Sequence, residues 1–140
     1  MIEYHYETKF KLSHPEKHTD WILDATKERN HSVGALNFIF CNDDYLLDIN
    51  KRFLQHDYLT DIITFPTGDG DGLNGDIFIS VERVKENAVL YDVGFEEELR
   101  RVMIHGVLHL MGYNDHTTEE KNTMRSEEDA MLKLFHVKHS

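Results

Sequence analysis

A chain of 140 residues is long enough to bury one core and predicts a single domain over 1–140. Its 40% hydrophobic and 29% charged residues exclude a disordered or low-complexity protein, and a net charge of −11 argues against a general nucleic-acid coat, though a local basic cleft remains open. The lone Cys41 excludes an intramolecular disulfide or a CxxC zinc site, and the charged N-terminal stretch and absence of a membrane-length apolar run predict a cytoplasmic protein without a membrane partner.

Taken in chain order, Ile2, Tyr4, Tyr6, Thr8, Phe10 and Leu12 alternate with charged residues, the period of a half-buried strand that leaves His5 facing solvent. Ser13-x-x-Glu16 with Pro15 between them predicts a helix over 14–29 that buries Trp21, Ile22 and Ala25. A strand at 35–41 follows, ending on Cys41, which reads as core filler. Then comes a helix from Asn42 with Tyr45, Ile49 and Phe53 on one face. Strands at 61–65 and 76–80 flank the glycine-rich TGDGDGLNG. That loop lacks the EF-hand ligands at its fifth and twelfth positions, Leu73 and Ser80, so it reads as a solvated hairpin connection. Ser80 starts a helix bearing Val84, Ala88 and Tyr91, which Gly94 ends. A helix over 95–111 carries three glutamates in its first turn, and Thr117-x-x-Glu120 caps a last helix with Met124, Met131, Leu134 and Phe135. The expected fold is α+β, with a small, mixed, four-stranded sheet packed by about five helices.

The helix over 95–111 is apolar nearly all round, so it belongs in the middle of the fold. Its exceptions are informative. His105 and His109 lie about 40° apart and form a narrow polar stripe, with Gly112 one turn on and Glu98 nearly two turns back. Two unpaired imidazoles on a buried rod are costly, whereas two that converge on one ion are not. Gly112 lets the chain leave the helix, so that His116 can reach the same point. Three imidazoles suit one zinc ion, with nickel, copper or iron also acceptable by ligand type. With no thiolate nearby, the fourth position is open to water, as metal-assisted hydrolysis requires. The residue after the first histidine is Gly106, not the general-base Glu of the HExxH metallopeptidases, so a peptidase is the weaker reading. A non-enzymatic module with a structural metal is the other alternative.

The stretch HGVLHLMGYNDH at 105–116 resembles the signature HGxLHxxGYDH of the YbeY family, bacterial endoribonucleases of rRNA maturation and ribosome quality control. The resemblance extends to NKRFLQHDYLTDIITFP at 50–66 and to GDI at 75–77, which match two further family segments in the family's order. It implies a zinc-dependent endoribonuclease acting on single-stranded RNA in small-subunit rRNA 3′-end maturation, with rRNA and ribosomal partners and no role for DNA. Two departures matter. The family spacing between second and third ligands is shorter by one residue than here, because Asn114 is extra. Keeping the Asp-His pair favours His116 as the third ligand, and a strict count gives Asp115 as the alternative. The family's arginine after the [YF] position is Leu54 here, which leaves Lys51, Arg52 and His56 as candidates for substrate binding. Thr60, Asp61 and Thr64 fall where the family places residues near the metal helix. Asp61 and Thr60 are the catalytic candidates, and Asp76 is either a partner of a histidine or a strand-turn cap.

Overall fold

A computed structural model describes residues 1–68 and 70–139. Four strands form one sheet: β1 (Ile2–Tyr6), β2 (Val33–Cys41), β3 (Ile62–Pro66) and β4 (Leu73–Ser80), in the spatial order β1-β2-β4-β3. β1, β2 and β4 run parallel, with Tyr4 beside Phe38 and Phe38 beside Ile77, while β3 returns antiparallel to β4 with Thr64 opposite Ile77. Along the two central strands burial alternates, one face packed into the core and the other, which carries Asn37, Asn74 and Asp76, only half-buried. β3 and β4 are the predicted hairpin; Asp69, in the middle of its predicted loop, lies outside the described residues.

Among the described residues five helices complete this α+β fold: α1 (Pro15–Glu28), α2 (Asp43–Leu54), α3 (Val81–Leu90), α4 (Phe95–Leu110) and α5 (Thr118–His139). Leu36, Phe38, Phe40, Ile77 and Ile79 of the sheet face a core completed by Trp21, Val84 and the apolar residues of α4 and α5. The opposite face carries a smaller cluster of Cys41, Leu46, Ile49 and Ile63 beneath α2. α4 approaches the sheet closely at its one internal glycine: a Cβ on Gly106 would stand 2.9 Å from Ile62 Cδ1 and 3.0 Å from Ile77 Cγ2. Among the described residues no helix is long and apolar enough to cross a membrane.

Three local expectations are corrected. The first strand stops at Tyr6, because the chain turns where Phe10 N–H donates to the Thr8 carbonyl at 2.8 Å. Phe10 and Leu12 nonetheless return to the core, with the Phe10 ring 5.2 Å from that of Phe40, so the alternation marked the buried face but not the strand's length. α1 is not capped by Ser13: Pro15 takes the first helical position, which puts the cap on His14, whose side chain makes no capping bond. On α2, Ile49 is buried but Phe53 is 66% exposed, resting edge-on against Phe65 at the sheet's margin. The other caps are as read: Asn42 accepts from Tyr45 N–H at 2.9 Å, and Thr117 and Glu120 form a reciprocal box at 3.0 and 2.9 Å.

Candidate active site

His105 and His109 project from the C-terminal half of α4, one turn apart, with ring centroids 4.6 Å from each other. Beyond the helix, Gly112 adopts φ +103°, a conformation that suits glycine, and the chain folds back over the helix end. This return has two effects. It presents the Tyr113 carbonyl to His109 Nδ1 at 2.9 Å, and it brings Asp115 Oδ2 to 3.3 Å from His105 Nε2 and 3.4 Å from His109 Nε2. The two Nε2 atoms stand 3.0 Å apart.

The hydrogen bonds on the far sides of the rings decide what these atoms are. A carbonyl only accepts, so His109 Nδ1 carries a proton, and in the neutral ring this leaves Nε2 as a bare lone pair. His105 Nδ1 donates to Glu128 Oε2 at 2.6 Å, so neutral His105 also turns a bare Nε2 inward. Two imidazole nitrogens and a carboxylate oxygen thus point at one spot, a donor arrangement that suits a cation. Burial works against the charged form of His105, but the hydrogen bond and charge of Glu128, with Asp115 and Asp61, outweigh it and raise its pKa. Among the described residues, His105, His109 and Asp115 form a group that could hold a metal ion, their ligand atoms all within 4.8 Å of one another.

Glu128 is held from behind. It is only 5% exposed and accepts from Arg101 Nη1 at 2.8 Å, while Arg101 Nη2 donates to Asp129 at 2.7 Å. Sequence reading missed Glu128 because SEED looks like a solvated charge run. The signal was there: Met124, Glu128, Met131 and Phe135 fall on one buried stripe of α5, and a carboxylate on an apolar stripe requires a partner.

The cluster lies in the wall of an open cavity of about 690 Å³. Its lining includes His56, Thr60, Asp61, Thr64 and His116 as well as His105, His109 and Asp115. His116 therefore shares the cavity, and its backbone N–H donates to Glu120 Oε1 at 3.2 Å, but it stands outside the three-residue group. Asp61 also lines a smaller cavity of about 320 Å³ behind the cluster, with Glu98, Arg101 and Glu128. Burial raises the pKa of the Asp61 carboxyl against the pull of His105, and Asn87 Nδ2 donates to it at 3.3 Å. Burial and Asp61 likewise raise Glu98. Lys51 and Arg52 do not line the cavity; they pair with Asp57 at 3.4 Å and Asp48 at 3.3 Å. Asp76 is elsewhere on the sheet, where it accepts from Asn37 Nδ2 at 3.1 Å.

A family model described as Endoribonuclease YbeY matches residues 1–136. The chain belongs to the YbeY family. It is similar to proteins named Endoribonuclease YbeY from Flavobacterium psychrophilum, 51% identical over 138 residues that cover 99% of each chain, and from Flavobacterium johnsoniae, 47% identical over 98% of this chain and 99% of that one. Among solved structures it resembles the solution structure of TM1509 from Thermotoga maritima, with a TM-score of 0.70 and 27% identity over 96% of this chain and 89% of that one. The family is one of endoribonucleases, which are hydrolytic nucleases, and the His/Asp cluster lies within the motif at 105–116.

Proposed function

We propose that this YbeY-family chain is a zinc-dependent endoribonuclease of single-stranded RNA, acting in the cytoplasm on small-subunit rRNA 3′ ends and on defective ribosomes. The cellular task rests on the family resemblance alone. The chemistry rests on one observation: two imidazole nitrogens and a carboxylate oxygen converge at 3.0, 3.3 and 3.4 Å on the wall of an open cavity. His105 Nε2, His109 Nε2 and Asp115 Oδ2 are the ligands we assign. Support for Asp115 ahead of His116 is the proximity of its oxygen to both rings and its spacing of five intervening residues after His109, the family's own. Two imidazoles and a carboxylate are a donor set that zinc accepts, as do nickel and other divalent ions.

A zinc ion bound there supplies Lewis acidity to a phosphodiester and lowers the pKa of water. The protein's residues do the rest. Glu128 and the Tyr113 carbonyl keep each imidazole in the tautomer that turns Nε2 inward. Asp61, whose carboxyl burial makes more basic, lies on the same cavity and is the group assigned to receive and return a proton. Thr60 orients from beside it, its hydroxyl donating to the Ile62 carbonyl at 3.4 Å. A peptidase reading lacks its usual base, since Gly106 occupies that position and abuts Ile62 and Ile77.

Metal analysis of the purified protein, paired with cleavage of a single-stranded RNA, tests the proposal. His109→Ala is expected to abolish both metal retention and cleavage, Asp115→Ala to weaken metal binding severely, and His116→Ala to leave the metal bound. Cleavage by a folded, metal-free variant would overturn the metal-dependent mechanism, and loss of metal on His116→Ala alone would return the third ligand to His116.

A further inference from the structure

The cavity that the His/Asp cluster lines is also walled by the end of α2 and the turn that follows, with Leu54, His56 and Tyr58 contributing to the lining. Its chemistry is unusual for a site that receives a polyanion. Among the described residues that line the cavity there is no Lys or Arg, and the nearby cations Lys51 and Arg52 are paired with Asp57 and Asp48. The chain as a whole carries a net charge of −11. Phosphate neutralisation, the usual source of nucleic-acid affinity, has few donors here.

What the wall offers instead is an aromatic surface. The His56 and Tyr58 rings stack with centroids 5.2 Å apart and planes inclined by 22°, and the Tyr58 hydroxyl meets His56 Nδ1 at 3.0 Å. Tyr58 is 57% exposed. The pair is not a loose surface feature. Gln55 ends α2 at φ 56°, His56 N–H donates to the Asn50 carbonyl at 3.1 Å, and the Asn50 side-chain amide donates to the Tyr58 carbonyl at 2.9 Å. One buried residue of α2 therefore fixes the backbone at both ends of the pair.

We infer that His56 and Tyr58 form a stacking wall that holds one nucleobase of single-stranded RNA beside the metal cluster. The inference rests on the endoribonuclease reading and names how that site grips its substrate: by a base's face rather than by phosphate charge. A flat, rigid, partly exposed ring pair matches the π-face that every base presents, so binding is tolerant of sequence. It also selects against duplexes, in which those faces are hidden in the helical stack. The cavity, about 690 Å³, is within the usual range for sites that take a small ligand.

The test uses the full chain loaded with zinc, a short single-stranded RNA, and versions of it carrying one abasic nucleotide at successive positions. Tyr58→Ala is expected to raise KM about tenfold or more, with kcat and metal content little changed, and Tyr58→Trp to restore KM. An abasic nucleotide at one position should reproduce the loss in the wild type and add nothing in Tyr58→Ala. Direct binding should weaken only shallowly with salt, with a slope for about one or two phosphates. Equal binding of intact RNA and every abasic version, or wild-type KM in Tyr58→Ala and His56→Ala, would overturn the stacking wall. A wild type that binds intact RNA better than the abasic version yet cuts neither would overturn the nuclease reading while supporting the wall. RNA neither bound nor cut would overturn both.

Discussion

On one side of the cavity His105 is fixed through Glu128, Arg101 and Asp129, groups carried by two long helices, whereas on the other His56 and Tyr58 ride on a turn pinned by Asn50. The first wall is half-buried and braced by groups from two helices; the second is open and rests on two contacts from a single residue. The difference follows from what each must do. Ligands to an ion tolerate errors of a few tenths of an ångström, so their partners sit on rigid elements. A surface that admits a flexible strand has to be accessible, and a turn supplies that access.

The comparison breaks most readily at Glu128. Glu128→Ala removes the acceptor that holds His105 Nδ1–H and leaves Arg101 with Asp129 alone. Metal affinity is expected to fall by about 10- to 100-fold, read by competition with a chelator. Glu128→Gln keeps an acceptor but not its charge and should fall between the two. Unchanged affinity in Glu128→Ala would mean that packing alone orients His105.

The two walls also differed in how far they could be read from sequence. The 3.6-residue period exposed His105 and His109 because a helix apolar on every other face makes two polar residues conspicuous. It found no such contrast for Glu128, which sits among Glu127 and Asp129 in a run that resembles a solvated face until α5 is wound. The proposed third ligand lies on a loop, where residue counting and motif matching give different answers, and the fold-back after Gly112 puts Asp115 beside the rings. Tyr58 had no period to betray it, because turns carry no repeat. The same limit applies to β1, whose alternation continued past the point where the backbone turned. Four strands and five helices were legible in order and type, since each has an amphipathic pattern or a cap of its own. Lys51 and Arg52, the basic candidates for substrate binding, lie beside the Asp57 and Asp48 carboxylates and outside the cavity lining.

Asn50 probes the open wall. It is 1% exposed, so Asn50→Ala removes a buried amide that has a partner and leaves the Tyr58 carbonyl without its donor. A stability loss of about 1–3 kcal/mol is expected in denaturant unfolding. Metal affinity should stay at its wild-type value, because the hydrogen bonds of Asn50 run to the turn after α2 and not to the His/Asp cluster. A fall in metal affinity comparable to that of Glu128→Ala would show that the two walls are not separately supported.

The smallest effect is expected where the walls share a foundation, at Gly106. Alanine favours a helix over glycine by about 1 kcal/mol, but its methyl would meet Ile62 Cδ1 at 2.9 Å and Ile77 Cγ2 and Cδ1 at 3.0 and 3.1 Å. Ile62 Cδ1 is the far end of a side chain and can move; Ile77 is branched at Cβ, sits on a central strand and yields less. Overpacking of this kind costs about 1–3 kcal/mol, so the two effects nearly cancel, with a net loss of about 1 kcal/mol and a Tm lower by about 2–4 °C. His105 and His109 move together with α4, so their one-turn spacing, and with it metal binding, should survive Gly106→Ala. The gap from α4 to β3 should not, because Ile62 follows Asp61 directly and any recoil of that strand moves the Asp61 carboxyl away from the cluster. RNA cleavage is therefore expected to fall more than metal affinity does. A raised Tm with unchanged cleavage would show that the helix–sheet distance at Gly106 does not set the width of the cavity.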